Sequence, residues 1–203
     1  GKTFVALNLA GIIAMSGKKT IIVDLDLRKP KVHMGFNVPN INGMSNLIVQ
    51  HVELDECIHH SAVENLDFIT AGEIPPNPSE LILSDEFQVI LNQLKERYDI
   101  IIIDNPPVGL VSDGIQVLAN ADIPIYIFKA NYSKRMFSER VKELFEVQQL
   151  KTLNVILNGI DANGRGYGYG YGYGYGYGKS YGQGYYEEDD DSPRQKRKNS
   201  KKK

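Results

Sequence analysis

The sequence predicts an α/β fold: a mostly parallel sheet with helices on both faces, followed by a tail without periodic structure. Two short, wholly apolar runs end on carboxylates, "TIIVDLD" and "DIIIIDNPPV", as strands buried on both faces do. Around them, apolar residues recur at helical spacing, and strands that alternate with helices build a parallel sheet. After Asp161 this periodicity stops, and residues 162–203 are rich in Gly, Tyr and charge, a composition that favours disorder.

Each element has its own signal. "TFVALNLAGIIAMSGKK" has apolar residues at Phe4, Val5, Leu7, Leu9, Ile12, Ile13 and Met15, which predicts a helix buried on most sides. Gly17 and Lys18–Lys19 form its C-terminal stop. "TIIVDLD" is the first strand. Residues 30–64 are less regular, with short helices expected at "MSNLIVQ" and "LDECIHHS". "NLDFITAG" reads as a strand entering the Pro-rich loop "EIPPNP", and "SELILSDEFQVILNQLKERY" as one helix capped by Ser79. "DIIIIDNPPV" is the next strand. A helix at "DGIQVLANA", a strand at "IPIYIFKA", a helix at "SERVKELFEVQQL" and a strand at "LNVILNGID" complete the domain.

At 203 residues and 42% hydrophobic content, the chain suits one domain, residues 1–161, with an appendage, residues 162–203. The net charge of −2 divides into −6 for residues 1–161 and +4 for residues 162–203. An acidic body argues against a nucleic-acid-binding core. The single cysteine, Cys57, allows no internal disulfide and fits a reducing compartment. No apolar run reaches the length of a bilayer span. The chain opens inside a motif, so it is expected to be a piece of something longer.

That motif is Gly1-Lys2-Thr3, leading into a buried helix. It matches the end of a phosphate-binding loop, G-x-x-x-x-G-K-[ST], in which helix N-terminal amides attract phosphate. There, Lys2 reaches the β/γ-phosphates and the Thr3 hydroxyl ligates Mg²⁺. Alone, the tripeptide is equally a loop lysine. "IIVDLDLRKP" adds Asp24 and Asp26 at a strand's carboxyl end, where open α/β sheets bind ligands. Two carboxylates there suit proton acceptance and metal-water coordination, and a solvated acidic pair is the competing reading. "IIIIDNPPV" supplies Asp104 as a Walker B carboxylate for Mg²⁺. Asn158, which ends the last strand, is a candidate adenine contact. His59 and His60 near Cys57 read as surface-helix histidines, since no second cluster has ligand spacing.

The set GKT, "VDLDLRKP", "IIIIDNPPV", "AGEIPPNPSELI" and a terminal tyrosine cluster resembles the bacterial tyrosine kinases, the cytoplasmic domains of Wzc/CapB-type chain-length regulators. The resemblance covers residues 1 to 161 and implies a P-loop NTPase fold of MinD/ParA type, with ATP and Mg²⁺ as cofactors. It makes Lys2 and Thr3 the Walker A pair, Asp24 and Asp26 the Walker A′ carboxylates and Asp104 the Walker B carboxylate. It also implies a homo-oligomeric ring that exchanges tails between subunits, a membrane-spanning polysaccharide co-polymerase domain or subunit, and a protein-tyrosine phosphatase as a further partner. The expected place is the cytoplasmic face of the bacterial plasma membrane. The front of Walker A and its strand, which would lie beside the Asp104 strand, do not appear in the chain.

The tail then has a chemical purpose. Nine of the twelve tyrosines lie there: Tyr167, Tyr169, Tyr171, Tyr173, Tyr175, Tyr177, Tyr181, Tyr185 and Tyr186. As autophosphorylation targets they need positioning, Mg²⁺, a Lys and a base, and either Asp24 or Asp26 qualifies as that base. Residues 162–186 reach roughly 25–30 Å as a Gly-rich coil, enough for transfer to a neighbouring subunit's site. Two other readings compete with the autokinase. One is a MinD/ParA-type ATPase switch, and the other a scaffold that clusters through the Tyr/Gly tail.

Overall fold

Helix α1 (Lys2–Met15) buries one stripe, Ala6, Ala10 and Ala14. Small side chains at i, i+4 and i+8 bring the helix close to the sheet. The rest departs from the expected burial: Phe4, Ile12 and Met15 are 62%, 69% and 81% exposed. Only one stripe of a helix can face the sheet, and no described element covers the other. The Ser16 hydroxyl donates to the Ile13 carbonyl at 2.6 Å, and Gly17 takes φ +89°, a left-handed turn that favours glycine.

The computed structural model describes residues 1–107, 113–146, 150 and 152–160; residues 162–203, with all nine tail tyrosines, lie outside the described residues. Strand β1 (Thr20–Asp24) is buried along its whole length. The main sheet has the order β2 (His59–His60), β3 (Leu66–Ile69), β1, β4 (Ile100–Asp104). β1 pairs in parallel with β3 and β4, placing Val23 opposite Ile69 and Asp24 opposite Asp104. β2 runs antiparallel to β3. The histidines expected on a surface helix are therefore in a strand: the His59 ring stacks on Phe68 with centroids 5.1 Å apart.

β5 (Ile125–Lys129) and β6 (Asn154–Asn158) form a separate parallel pair, so the single expected sheet is in two pieces among the described residues. Among the described residues β4 is hydrogen-bonded along one edge, and Ile100 at its start is 37% exposed.

Alternation along β1 feeds two apolar layers. Ile22 joins Ala10, Ala14, Val32, Leu66 and Phe68, where Phe36 of α2 (Val32–Phe36) stacks on Phe68 with centroids 3.8 Å apart. Ile21 and Val23 belong to the larger layer. Its cover comes from α3 (Met44–Ile48), α4 (Leu54–Cys57), α5 (Pro78–Ile82), α6 (Asp85–Arg97) and α7 (Asp113–Ala119). α8 (Met136–Glu146) precedes β6. Where one helix capped by Ser79 was expected, there are two. Asn77 stands at the cap of α5 with Pro78 behind it, and Ser84 caps α6 by accepting the Phe87 N–H at 3.3 Å.

The amino ends of the strands are closed by side-chain bonds. Asp67 accepts the Tyr98 hydroxyl at 2.7 Å and lies 2.7 Å from His60 Nδ1. Burial and the Asp67 hydrogen bond push the Tyr98 phenol well above its usual range, so this tyrosine is held in place and protonated.

At the opposite end, the loop before α3 is fastened to the chain leaving β3. Met44 N–H donates to Thr70 O and Ser45 N–H to Ala71 O, both at 2.9 Å. A Cβ on Gly43 would overlap the Thr70 carbonyl and the Gly72 nitrogen, whereas one on Gly11 would meet nothing within 4 Å. Gly43→Ala is expected to cost about 3 kcal/mol, because the obstructing atoms are backbone. Gly11→Ala is expected to stabilise by about 0.5–1 kcal/mol. Urea denaturation of the two variants should move the midpoint in opposite directions.

Candidate active site

The carboxyl ends of β1 and β4 and the first turn of α1 meet at one place. The Thr3 hydroxyl donates to Asp104 Oδ2 at 2.5 Å, joining the start of α1 to the end of β4. Asp104 is 4% exposed, and burial raises its pKa against the opposing pull of the Thr3 hydrogen bond and the Lys2 charge. Lys2 therefore lies near enough to stabilise the ionised form. Asp26 acts in the other direction, its negative charge adding to the elevation.

Asp24 and Asp26, two residues apart, occupy different environments. Asp24 is completely buried. Its Oδ1 accepts the Asp26 N–H at 3.0 Å, and its Oδ2 accepts those of Lys31 and Val32 at 3.1 and 3.0 Å. Burial, the largest influence, lifts its pKa from 3.8 to about 7, with Asp104 adding to the rise and the three N–H donors opposing it. Asp26 is partly exposed, and its Oδ1 accepts the Lys29 N–H at 3.1 Å. Of the two, Asp26 is the one open to a reacting group, and Asp24 organises the loop that carries it.

Asn158 approaches from β6: a Cβ on Gly1 would come within 3.2 Å of Asn158 Nδ2. In register beside it stands Lys129, whose ammonium lies 5.5 Å from the Tyr132 ring centre. Lys2, Lys129 and Lys31 all lie near enough to Gly1 for their positive charges to be felt there. Lys129 and Lys31 were not singled out in the sequence, although Lys129 ends the apolar run "IYIFK" as Asp24 and Asp104 end theirs. Arg28 was missed too; its Nη2 donates to Ser79 Oγ at 2.8 Å, tying the Asp26 loop to α5. The sequence holds no sign of that pairing, which spans 51 residues.

This donor set fits Mg²⁺, which binds through one or two carboxylates and substrate phosphates and keeps much of its water. Among the described residues no three His, Cys, Asp or Glu side chains gather into a metal cage, and such a site does not need one. The α1 N-terminus, with Lys2, fits a phosphate chain.

The family model described as an AAA domain matches residues 1–157. CapB of Staphylococcus aureus is 40% identical over 172 residues, which are 82% of this chain and 74% of CapB. The tyrosine-protein kinase ptk of Acinetobacter johnsonii is 40% identical over 169 residues, 82% of this chain but only 23% of that protein's length. The kinase domain of the Escherichia coli tyrosine kinase ETK superposes with a TM-score of 0.72 at 33% identity, over 83% of this chain and 67% of that one. The septum site-determining protein MinD of Pyrococcus horikoshii, solved with Mg-ADP, gives 0.59 at 23% identity, over 76% and 62%. The fold is the expected P-loop NTPase fold.

The Asp24 environment has a consequence for stability. Its folded pKa lies above its ordinary value, so the folded protein binds this proton more tightly than the unfolded chain does. The protonated carboxyl therefore stabilises the fold fully below about pH 4, and that contribution is lost as pH rises through about 7. The melting temperature should fall between about pH 5 and pH 8, and Asp24→Asn should flatten this slope. An unchanged slope in the variant would mean that Asp24 is not the titrating group.

Proposed function

The chain belongs to the family of bacterial tyrosine kinases, and from that premise we propose that it is a Mg-ATP-dependent protein-tyrosine autokinase. In this reading it phosphorylates the tyrosine cluster between residues 167 and 186, in trans within a homo-oligomeric ring. It thereby regulates capsule or exopolysaccharide synthesis and export. Among the described residues no helix is long and apolar enough to cross a membrane; in this reading a polysaccharide co-polymerase domain or subunit attaches the protein to the membrane. A protein-tyrosine phosphatase resets the tail.

The observation that carries this reading is the junction of the Thr3 hydroxyl with Asp104, within reach of the Lys2 charge and with the partly exposed Asp26 near it. The N–H groups at the start of α1 and the Lys2 ammonium hold the phosphates of ATP. Thr3 and Asp104 would hold Mg²⁺, with Asp26 acting through its water shell. When bound, the ion neutralises phosphate charge and stabilises the leaving oxygen. Asp26 accepts the phenol proton as the tyrosine oxygen bonds to the γ-phosphorus. The bond from that phosphorus to its bridging oxygen breaks, and ADP leaves. Asp24 keeps the loop around Asp26 in shape and takes no part in proton transfer. Asn158, beside Gly1, contacts the adenine end of the nucleotide.

Of the three body tyrosines, Tyr132 is 75% exposed, and the other two are poor substrates by comparison. Tyr98 is bonded to Asp67, and Tyr126 is partly buried with a raised pKa.

Intact-mass analysis of the protein as it is encoded, after incubation with Mg-ATP, tests the proposal. A ladder of phosphate additions is expected, absent from Lys2→Ala and from a chain ending at Asp161. Asp26→Asn should slow the ladder by roughly 100-fold or more while ATP binding persists. ATP turnover without any gain in mass would move the protein to the ATPase-switch class.

A further inference from the structure

We propose that Tyr132 is a phosphorylation site of this chain outside the tail, and that its phosphate lowers nucleotide affinity by engaging Lys129. The proposal rests on the kinase reading for the source of the phosphate and adds a brake that this reading does not contain.

Tyr132 is the body tyrosine that a second molecule can reach. Its side chain is largely in solvent, and its hydroxyl bonds to no described residue. Asn131, Lys134, Arg135 and Met136 beside it are exposed as well. The backbone beneath is nonetheless fixed. The Lys129 carbonyl accepts the Tyr132 and Ser133 N–H groups at 3.2 and 2.8 Å, and the Ser133 hydroxyl accepts the Lys129 N–H at 2.9 Å. Asn131 takes φ +59°, a left-handed turn that asparagine adopts more readily than most residues. A phenol held out on an ordered turn loses little freedom when it enters a second copy's site.

Charge at this turn suits a phosphate better than a phenol. Lys129, Lys134 and Arg135 lie within three residues of Tyr132, and no Asp or Glu occurs between Asp122 and Glu139. The Lys129 ammonium stands 5.5 Å from the ring centre. Phosphorylation adds about −1.5 to −2 charges and three strong acceptor oxygens, which lysine and arginine pair with through charge-assisted hydrogen bonds.

The turn also borders the nucleotide site. The Ala130 N–H donates to the Asn158 carbonyl at 2.8 Å, and Lys129 pairs in register with Asn158. Asn158 Nδ2 is the atom that a Cβ on Gly1 would meet at 3.2 Å. Lys129 is near enough to Gly1 for its charge to be felt there, so it adds to the positive field that Lys2 offers the phosphates of a nucleotide. A phosphate on Tyr132 pairs with the Lys129 ammonium and cancels that contribution.

The phosphate comes from a second copy. Tyr132 is fixed on the β5–β6 pair, whereas Asp26 follows β1 in the other sheet. The Tyr132 oxygen bonds to the γ-phosphorus of ATP held by the donor copy, and the bond from that phosphorus to its bridging oxygen breaks. ADP leaves, and the phenol proton passes to the donor's Asp26 carboxylate.

The test has two arms, both on the protein as it is encoded. In the first, the chain is incubated with Mg-ATP and its phosphotyrosines are mapped by tandem mass spectrometry. Phosphate is expected on Tyr132 as well as on the tail, and on neither Tyr98 nor Tyr126. A phosphorylated tail with Tyr132 unmodified would overturn the site and leave the kinase reading intact. The second arm needs no catalysis: phosphotyrosine is genetically encoded at position 132, and binding of Mg-ADP is measured by calorimetry. Affinity should fall at least about tenfold against the unmodified chain, and Tyr132→Phe should bind like the unmodified chain. In Lys129→Gln the same phosphate should cost only about twofold, because its partner is gone. Circular dichroism verifies that the variants fold. Affinity indifferent to the phosphate would overturn the brake, and an equal loss in Lys129→Gln would overturn Lys129 as its link. Phosphate on no tyrosine in the first arm would refute the kinase reading, and the second arm would still decide the brake.

Discussion

The buried carboxyl of Asp24 is the constraint on which the rest of the site depends. It ends the central strand without solvent access, and its two oxygens accept N–H groups from residues two, seven and eight positions further on. The segment after β1 is thereby wrapped around one side chain. Leu25 and Leu27, 0% and 1% exposed, anchor it on the inside, so Asp26 between them and Arg28 after them are left toward solvent. From that arrangement follow the openness of Asp26, the reach of Arg28 to Ser79 and the start of α2 at Val32. Removing one acceptor from such a shared site strands buried N–H donors, a loss larger than a single hydrogen bond.

Two buried carboxyls side by side, Asp24 and Asp104, make the carboxyl end of this sheet electrostatically unlike the amino end. Both have raised pKa values with burial as the main cause. The Thr3 hydroxyl and the Lys2 ammonium offset part of that cost at Asp104, and a divalent cation would offset more. At the amino end Asp67 spends both oxygens on Tyr98 and His60 and is left with little to offer a ligand. One end is closed by its own side chains, and the other holds polar groups that await a partner. Perturbed carboxyls at strand termini are the usual mark of a functional site.

At the same end, the loop before α3 and the chain leaving β3 are packed closely against each other. The glycines there have no room for a side chain: a Cβ on Gly72, at φ +79°, would overlap Asn46 and Ser45. The chain leaving β3 runs on to Ser79, whose hydroxyl accepts from Arg28 and so steadies the loop that carries Asp26.

By itself the sequence determined the alternation of strands and helices, the strand ends at Asp24 and Asp104 and the P-loop start of α1. These depend on local period and on residue types at strand termini, which a linear pattern records. It left Asp24 and Asp26 equivalent, because solvent access depends on where a loop turns back. It placed His59 and His60 on a helix, since a two-residue strand has no period to read. It overstated the burial of α1, because apolar content does not say how many neighbours a helix has. Tertiary structure alone decided the Arg28–Ser79 bond, the Asn40–Gly72 pair and the gathering of Lys2, Lys31 and Lys129. Each joins residues far apart in the chain, and only the packing of the layers brings them within reach.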